Sequence, residues 1–198
     1  KELLDKPADV VLMNGFEDDF VPKGSTFTGK RKRARSTMLR VANSLLGQEF
    51  DNDTLIIGTS GRYEFHNKGL DVFLDSLKAL AASDRLGRDV LAFITVPAAN
   101  NGPRADLRAH LQDPSRPVDA AQLPYVTHYL ENPGGDPIVR AVGGSVLDKA
   151  GSKVRVIFVP TYLNGTDGIF DKTYYELLAG MDVTVFASYY EPVSYTHL

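Results

Sequence analysis

Cysteine is absent from this 198-residue chain, which excludes a disulfide framework and thiolate metal sites and fits a reducing compartment. No apolar run approaches the ~18 residues needed to cross a bilayer, so no membrane partner is expected. The opening KELLDKPADVV lacks the apolar core of a signal peptide, and the expected location is cytoplasmic. Charge of one sign is not in excess either: 22 Lys plus Arg face 25 Asp plus Glu, a net charge of -3. That balance offers no overall field for nucleic acid, so any anion site must be local. Internal repeats and low-complexity segments are missing. So is a GxGxxG fingerprint, which leaves a dinucleotide site of the usual kind with little support. The histidines, His66, His110, His128 and His197, show neither metal-ligand spacing nor a Ser-His-Asp arrangement.

What is present is enough apolar side chain for a proper core, 43% hydrophobic and 10% aromatic. Residues 8–13, ADVVLM, read as a short buried strand closed by the turn pair Asn14-Gly15. Over 33–47, Leu39, Val41, Ala42, Leu45 and Leu46 lie near helical spacing, with Gly47 as the stop. From residue 54 a regular alternation begins: TLIIGTS as a strand, GLDVFLDSLKALAA as a helix, DVLAFITVPA as a strand. Leu70, Phe73, Leu74, Leu77 and Leu80 form one apolar helix face. The strands are apolar runs without clean alternation, as in a parallel sheet covered on both faces. After Pro97 the pattern weakens, and only ADLRAHLQ and DPIVRAVGGSVLDKAG suggest short helices. It returns with KVRVIFVP as a strand, DKTYYELLAGM as a helix and DVTVFASYY as a strand. The expected architecture is a doubly wound α/β domain from about residue 52, preceded by the end of another unit.

In open α/β sheets ligands bind beyond the carboxyl ends of the strands, which puts GRYEFHNKG (61–69) and SYYEP (188–192) on one rim. Arg62 and Lys68 in the first loop suit a diphosphate, because a helix N-terminus already favours anions and two cations add charge-assisted contacts. The plain alternative pairs Arg62 with Glu64 at the surface and leaves Lys68 in water; spacing alone does not separate the two. Glu191 can hydrogen-bond sugar hydroxyls or stabilise a cationic transition state, though a lone loop carboxylate is more often solvated. Tyr174, Tyr175, Tyr189 and Tyr190 make this end rich in phenols, and an exposed one can stack on a base. The basic run Lys30, Arg31, Lys32, Arg33 and Arg35 is read as a solvated helix face.

The segments GRYEFHNKGLDVFLDSL, LPYVTHYLENPGGDPIV, VRVIFVPTYLN and DKTYYELLAGMDVTVFASYYEP resemble, in the same order, the glycogen synthases of the animal and fungal type, glycosyltransferase family 3, which also occur in some bacteria. The resemblance implies two Rossmann-like lobes facing across a cleft, with the nucleotide-sugar donor mainly on the C-terminal one. It implies transfer of glucose from UDP-glucose to the non-reducing 4-hydroxyl of glycogen or another α-glucan, with retention and no required metal ion or cofactor. On that pattern Arg62 and Lys68 match the pair that neutralises the donor diphosphate, and Tyr174 the tyrosine that stacks on the uracil. Glu191 matches the first glutamate of E-x7-E, which holds the donor glucose. Tyr195 and Thr196 match the YT whose backbone N–H groups approach sugar and phosphate. Residues 1–51 correspond to the end of the N-terminal lobe and its crossing, and 52–198 to part of the donor-binding lobe. A homo-oligomeric parent is compatible with this pattern.

The departures lie at the end. Where the family reads EPWGYTP this chain reads EPVSYTH, with Val193, Ser194 and His197 replacing Trp, Gly and Pro. A side chain at 194 stands where the backbone should approach the donor closely. The expectation is a fragment of a longer enzyme, inactive by itself, in which residues 193–198 are foreign or misread. The rival readings are another two-lobed nucleotide-sugar glycosyltransferase, of the starch or sucrose synthase type, and a non-catalytic nucleotide-binding module.

Overall fold

The computed structural model describes residues 21–119 and 121–189. Helix α1 (Gly24–Leu46) comes first, followed by strand β1 (Leu55–Ser60), helix α2 (Leu70–Ala81) and strand β2 (Val90–Thr95). Next are β3 (Asn100–Pro103), α3 (Ala105–Gln112), β4 (His128–Leu130), α4 (Pro137–Val142), β5 (Val154–Val159), α5 (Tyr174–Leu178) and β6 (Val183–Thr184). The strand expected at 8–13 lies outside the described residues.

The central sheet has the order β5-β2-β1-β6 and all its pairs are parallel, so the α/β class read from the sequence is the one observed. Both faces are covered, and the apolar runs divide between them residue by residue. Val90, Ala92 and Ile94 join Leu70, Phe73, Leu74 and Leu77 of α2 and Ile138 and Val142 of α4 in one core. Leu91 and Phe93 join Met38, Leu39, Val41 and Leu45 of α1, Leu107 of α3 and Leu177 of α5 in the other. A strand buried on both faces is apolar at nearly every position, which is why β2 shows no alternation. Residue 52 lies in the loop between α1 and β1, and α1 packs directly on the sheet.

Several elements differ from the expectation. Helix α1 starts nine residues before position 33, at Gly24, although its first turns are exposed. Once the apolar stripe from Ala34 to Leu45 nucleates the helix, extending it through 24–32 costs little. Helix α4 ends at Val142, capped by Gly143, and the rest of DPIVRAVGGSVLDKAG is turns and bends. Helix α5 is shorter than DKTYYELLAGM, and among the described residues of DVTVFASYY only Val183–Thr184 form β6.

The antiparallel pair β3 and β4 was not expected at all. The strand sequence NNGP has poor strand propensity, and the adjacent Arg104 side chain ties the region to a later loop. Arg104 is 2% exposed and donates to the carbonyls of Leu123 (2.7 Å), Asp119 (3.3 Å) and Val126 (3.4 Å) and to Asp106 (2.5 Å). A buried guanidinium persists only with such partners.

Gly58, inside β1, faces the Met181 thioether, and a Cβ there would make that flexible side chain shift. No helix among the described residues is long and apolar enough to cross a membrane.

Candidate functional site

From β1 the chain moves to β2 and β5 on one side, and then returns to place β6 on the other side of β1. The reversal of direction falls between β1 and β6, and in open α/β sheets the ligand crevice lies at the carboxyl end of that switch. The loop leaving β1 is GRYEFHNKG, so its position agrees with the rim expected from the sequence.

This loop is wound into turns. Lys68 N–H donates to Glu64 O (2.8 Å), Gly69 N–H to His66 O (2.8 Å) and Leu70 N–H to Phe65 O (2.9 Å). Tyr63 and Phe65 pack against the core under α2 and α4, which anchors the loop from below. The Tyr63 ring meets Phe158 edge-on at 6.1 Å and its hydroxyl accepts from Ile138 N–H (3.4 Å). Burial, with a hydrogen bond to Asp136, pushes the Tyr63 phenol well above its ordinary pKa, so it is a neutral structural group. Arg62 stays at the surface with 77% of its side chain exposed and lies 3.4 Å from Glu64. Glu64 also accepts from Asn67 Nδ2 (2.5 Å), and His66 Nδ1 pairs with Asp71 (2.5 Å). At the start of α2, Leu70 N–H is taken by Phe65 O and Val72 N–H by Asp71 Oδ1. Much of the helix N-terminus is therefore already engaged, and positive charge for an anion comes mainly from side chains.

A cavity of about 520 Å³ opens at the carboxyl ends of β1, β2 and β5, lined by Ser60, Arg62, Tyr63, Thr95, Tyr162 and Tyr174 among others. Arg62 and Tyr174, far apart in sequence, thus share one cavity. Lys68 does not line it and sits at the helix side of the loop, half-buried beside Gly69. Tyr174 is half-buried, and burial raises its pKa, partly offset by the Ser60 hydroxyl at 2.8 Å. A cavity of similar volume, about 530 Å³, lies among Asp53, Arg88, Asp89 and Lys153 before the strands begin. Its place at the amino ends makes it the poorer candidate.

Past β6 the chain crosses the loop after β1. Val185 N–H donates to Gly58 O (2.8 Å), Tyr189 N–H donates to Asn67 O (3.0 Å), and the Tyr189 ring lies 4.4 Å from that of His66. The described chain stops at Tyr189, so Glu191, Tyr195 and Thr196 lie outside the described residues.

One expectation is corrected. Within the basic run, Arg31 and Arg35 are not a solvated face: both reach the Asp182 carboxylate, Arg35 at 2.8 Å. Arg35 also donates to the carbonyls of Thr54 (2.7 Å), Asn52 (3.1 Å) and Gly180 (3.1 Å). Lys30, Lys32 and Arg33 do remain exposed. Spacing could not separate these residues, because the carboxylate that selects them is brought up from the start of β6.

Sequence reading also missed Ser60 and Tyr162 as cavity residues. Ser60 carries no local signal beyond ending a strand. The run of aromatics after β5 does contain Tyr162, which is 76% exposed at the cavity. Among the described residues no group of three or more His, Cys, Asp or Glu could hold a metal ion.

A sequence model of the family described as "Glycogen synthase" matches residues 26–110 and 117–198. Among curated proteins, liver glycogen [starch] synthase of Mus musculus is 26% identical over 254 aligned positions, covering 99% of this chain and 35% of that protein. Glycogen [starch] synthase of Caenorhabditis elegans is 29% identical over 203 positions, covering 75% of this chain and 30% of its own length. The Dictyostelium discoideum protein of the same name is 27% identical over 248, covering 98% and 28%. The chain thus spans about a third of the length of the curated relatives it matches.

Proposed function

Because this chain belongs to the glycogen synthase family, we propose that it forms part of the donor site of a retaining glucosyltransferase that elongates glycogen from UDP-glucose. The observation that carries this reading is the shared cavity of Arg62 and Tyr174 beside the switch between β1 and β6. The donor diphosphate is already anionic and gains further negative charge as UDP leaves, so fixed cations at that point stabilise the transition state more than the bound donor. Arg62 and Lys68 supply those cations from the loop after β1, and no metal ion is required. The Tyr174 ring provides an aromatic surface for the uracil. Glu191 holds the donor glucose, and the backbone N–H groups of Tyr195 and Thr196 approach sugar and phosphate. The acceptor is the non-reducing 4-hydroxyl of an α-glucan. Residues 1–51 end the first lobe and cross to the second, of which 52–198 form part. A cytoplasmic location goes with this reading and with the absence of cysteine.

The test is glucose transfer to glycogen by the full-length protein that carries this segment, with UDP-glucose and ADP-glucose compared as donors. Incorporation from UDP-glucose into α-1,4 linkages is expected, and none from the 198-residue chain alone, which spans about a third of the length of its curated relatives. Preference for ADP-glucose would support the starch synthase reading instead. No transfer from either donor, with UDP still bound, would leave a binding module.

A further inference from the structure

Tyr174 is held at both ends. Its backbone opens α5 behind a capping box, in which Glu176 N–H donates to Thr173 Oγ1 (3.3 Å) and Thr173 N–H donates to the Glu176 carboxylate (2.9 Å). Its own N–H donates to Leu163 O (2.9 Å). These bonds fix where the side chain starts, but not its rotamer. The hydroxyl supplies the second fixed point, 2.8 Å from Ser60 Oγ.

Ser60 is a rigid partner. It is the last residue of β1, in parallel register with Thr95 of β2, and Thr95 Oγ1 donates to the neighbouring Thr59 carbonyl (3.1 Å). Both Ser60 and Tyr174 line the cavity that also receives Arg62, whereas Tyr175, whose ring meets Tyr174 edge-on at 5.6 Å, does not. The Tyr174 ring is therefore braced by Tyr175 from outside the cavity and pinned at its hydroxyl from within.

We propose that Ser60 is a positioning residue: its hydroxyl locks the ring of Tyr174 as the wall against which the planar base of a nucleoside diphosphate-sugar packs. This rests on the donor-site reading above. An unpinned ring would still offer area to the base, but would lose rotamer freedom on binding, so the effect belongs to donor affinity rather than to the chemical step.

The experiment measures KM for UDP-glucose and kcat, at saturating glycogen, for variants of the full-length protein. Ser60→Ala and Tyr174→Phe each remove the same bond from opposite sides, and each should raise KM roughly three- to tenfold, the worth of one hydrogen bond, with kcat within about twofold. Ser60→Thr keeps the hydroxyl and should restore KM. The double variant Ser60→Ala/Tyr174→Phe should be no worse than either single one. Additive effects, or a failure of Ser60→Thr to rescue, would overturn the positioning role. Tyr174→Ala separates the two levels of inference. If it raises KM strongly while Ser60→Ala does nothing, only the role of Ser60 fails; if Tyr174→Ala leaves KM unchanged, the donor-site reading fails with it.

Discussion

The carbonyl of Ala187 lies directly against the Cα of Gly69, where any Cβ would overlap both its oxygen and its carbon. Gly69 is also left-handed, with φ at +64°, so the residue answers two demands at once. Through this contact, and through Tyr189 N–H on Asn67 O, the segment that leads toward Glu191 is laid along the loop carrying Arg62 and Lys68. The loop after β1 and the described chain up to Tyr189 are registered against each other by a missing side chain.

Gly69→Ala should therefore destabilise the domain by at least about 2 kcal/mol, combining the left-handed backbone cost with the overlap. Gly69→Asn tolerates the φ value but keeps a Cβ, and should be nearly as damaging. Urea unfolding midpoints check this; full rescue by Asn would mean that φ alone matters.

Arg62 is exposed and outside the packed core, so its removal should cost activity and not stability. In the full-length protein Arg62→Ala and Lys68→Ala should each lower kcat/KM for UDP-glucose by about 10²- to 10³-fold, the usual loss for a donor aimed at developing charge. Glu64→Gln, which frees Arg62 from its surface partner, should leave kcat/KM equal or slightly higher. Wild-type kinetics in Arg62→Ala would remove it from the phosphate site.

Asp182 ties three elements together. Its carboxylate accepts from Arg35 and Arg31 of α1 and from Ile56 N–H (2.8 Å) of β1. Asp182→Ala leaves the buried Arg35 without an anion and should cost about 2 to 4 kcal/mol, less than a fully buried pair because 23% of the Asp182 side chain reaches water. Equilibrium unfolding of the variant measures it, and a loss below about 0.5 kcal/mol would show that the carbonyl partners of Arg35 suffice alone.

Acid should weaken the fold through Asp106. Burial opposes its ionisation, but the Arg104 guanidinium and the Asp119 N–H outweigh that and hold its pKa at about 2. An unfolded aspartate titrates near ~3.9, so the native state binds the proton more weakly. The stabilisation is complete above the unfolded value and disappears as pH falls toward about 2. Asp106→Asn should lower stability at neutral pH and flatten its pH dependence between about 4 and 2. Unfolding midpoints recorded across that range decide it, and an unchanged slope would assign the acid response to other carboxylates.

The helix face of α2, from Leu70 to Leu77, was legible because a 3.6-residue period records which side of a helix is buried. The apolar runs of β1, β2 and β5 likewise recorded burial on two faces, and with them the parallel sheet. The order GRYEF to SYYEP carried the family, and the position of Arg62 after a parallel strand carried the idea of an anion site. Local pattern reports which face of each element is buried, because hydrophobic residues recur with the element's own period.

Partnership is a different quantity. Arg31 and Arg35 look like Lys30 and Lys32 until Asp182 arrives from the other end of the chain. The β3 and β4 pair depends on Arg104 reaching three carbonyls in a later loop. Ser60 is an ordinary strand-end serine until Tyr174 is folded onto it. Composition and periodicity thus determined the class of fold, its buried faces and the loop in which to look for a site. Only tertiary structure decided which charges are partnered, which residues share the cavity and why Gly69 has no side chain. Those depend on distances between segments remote in sequence, and no local period encodes such distances.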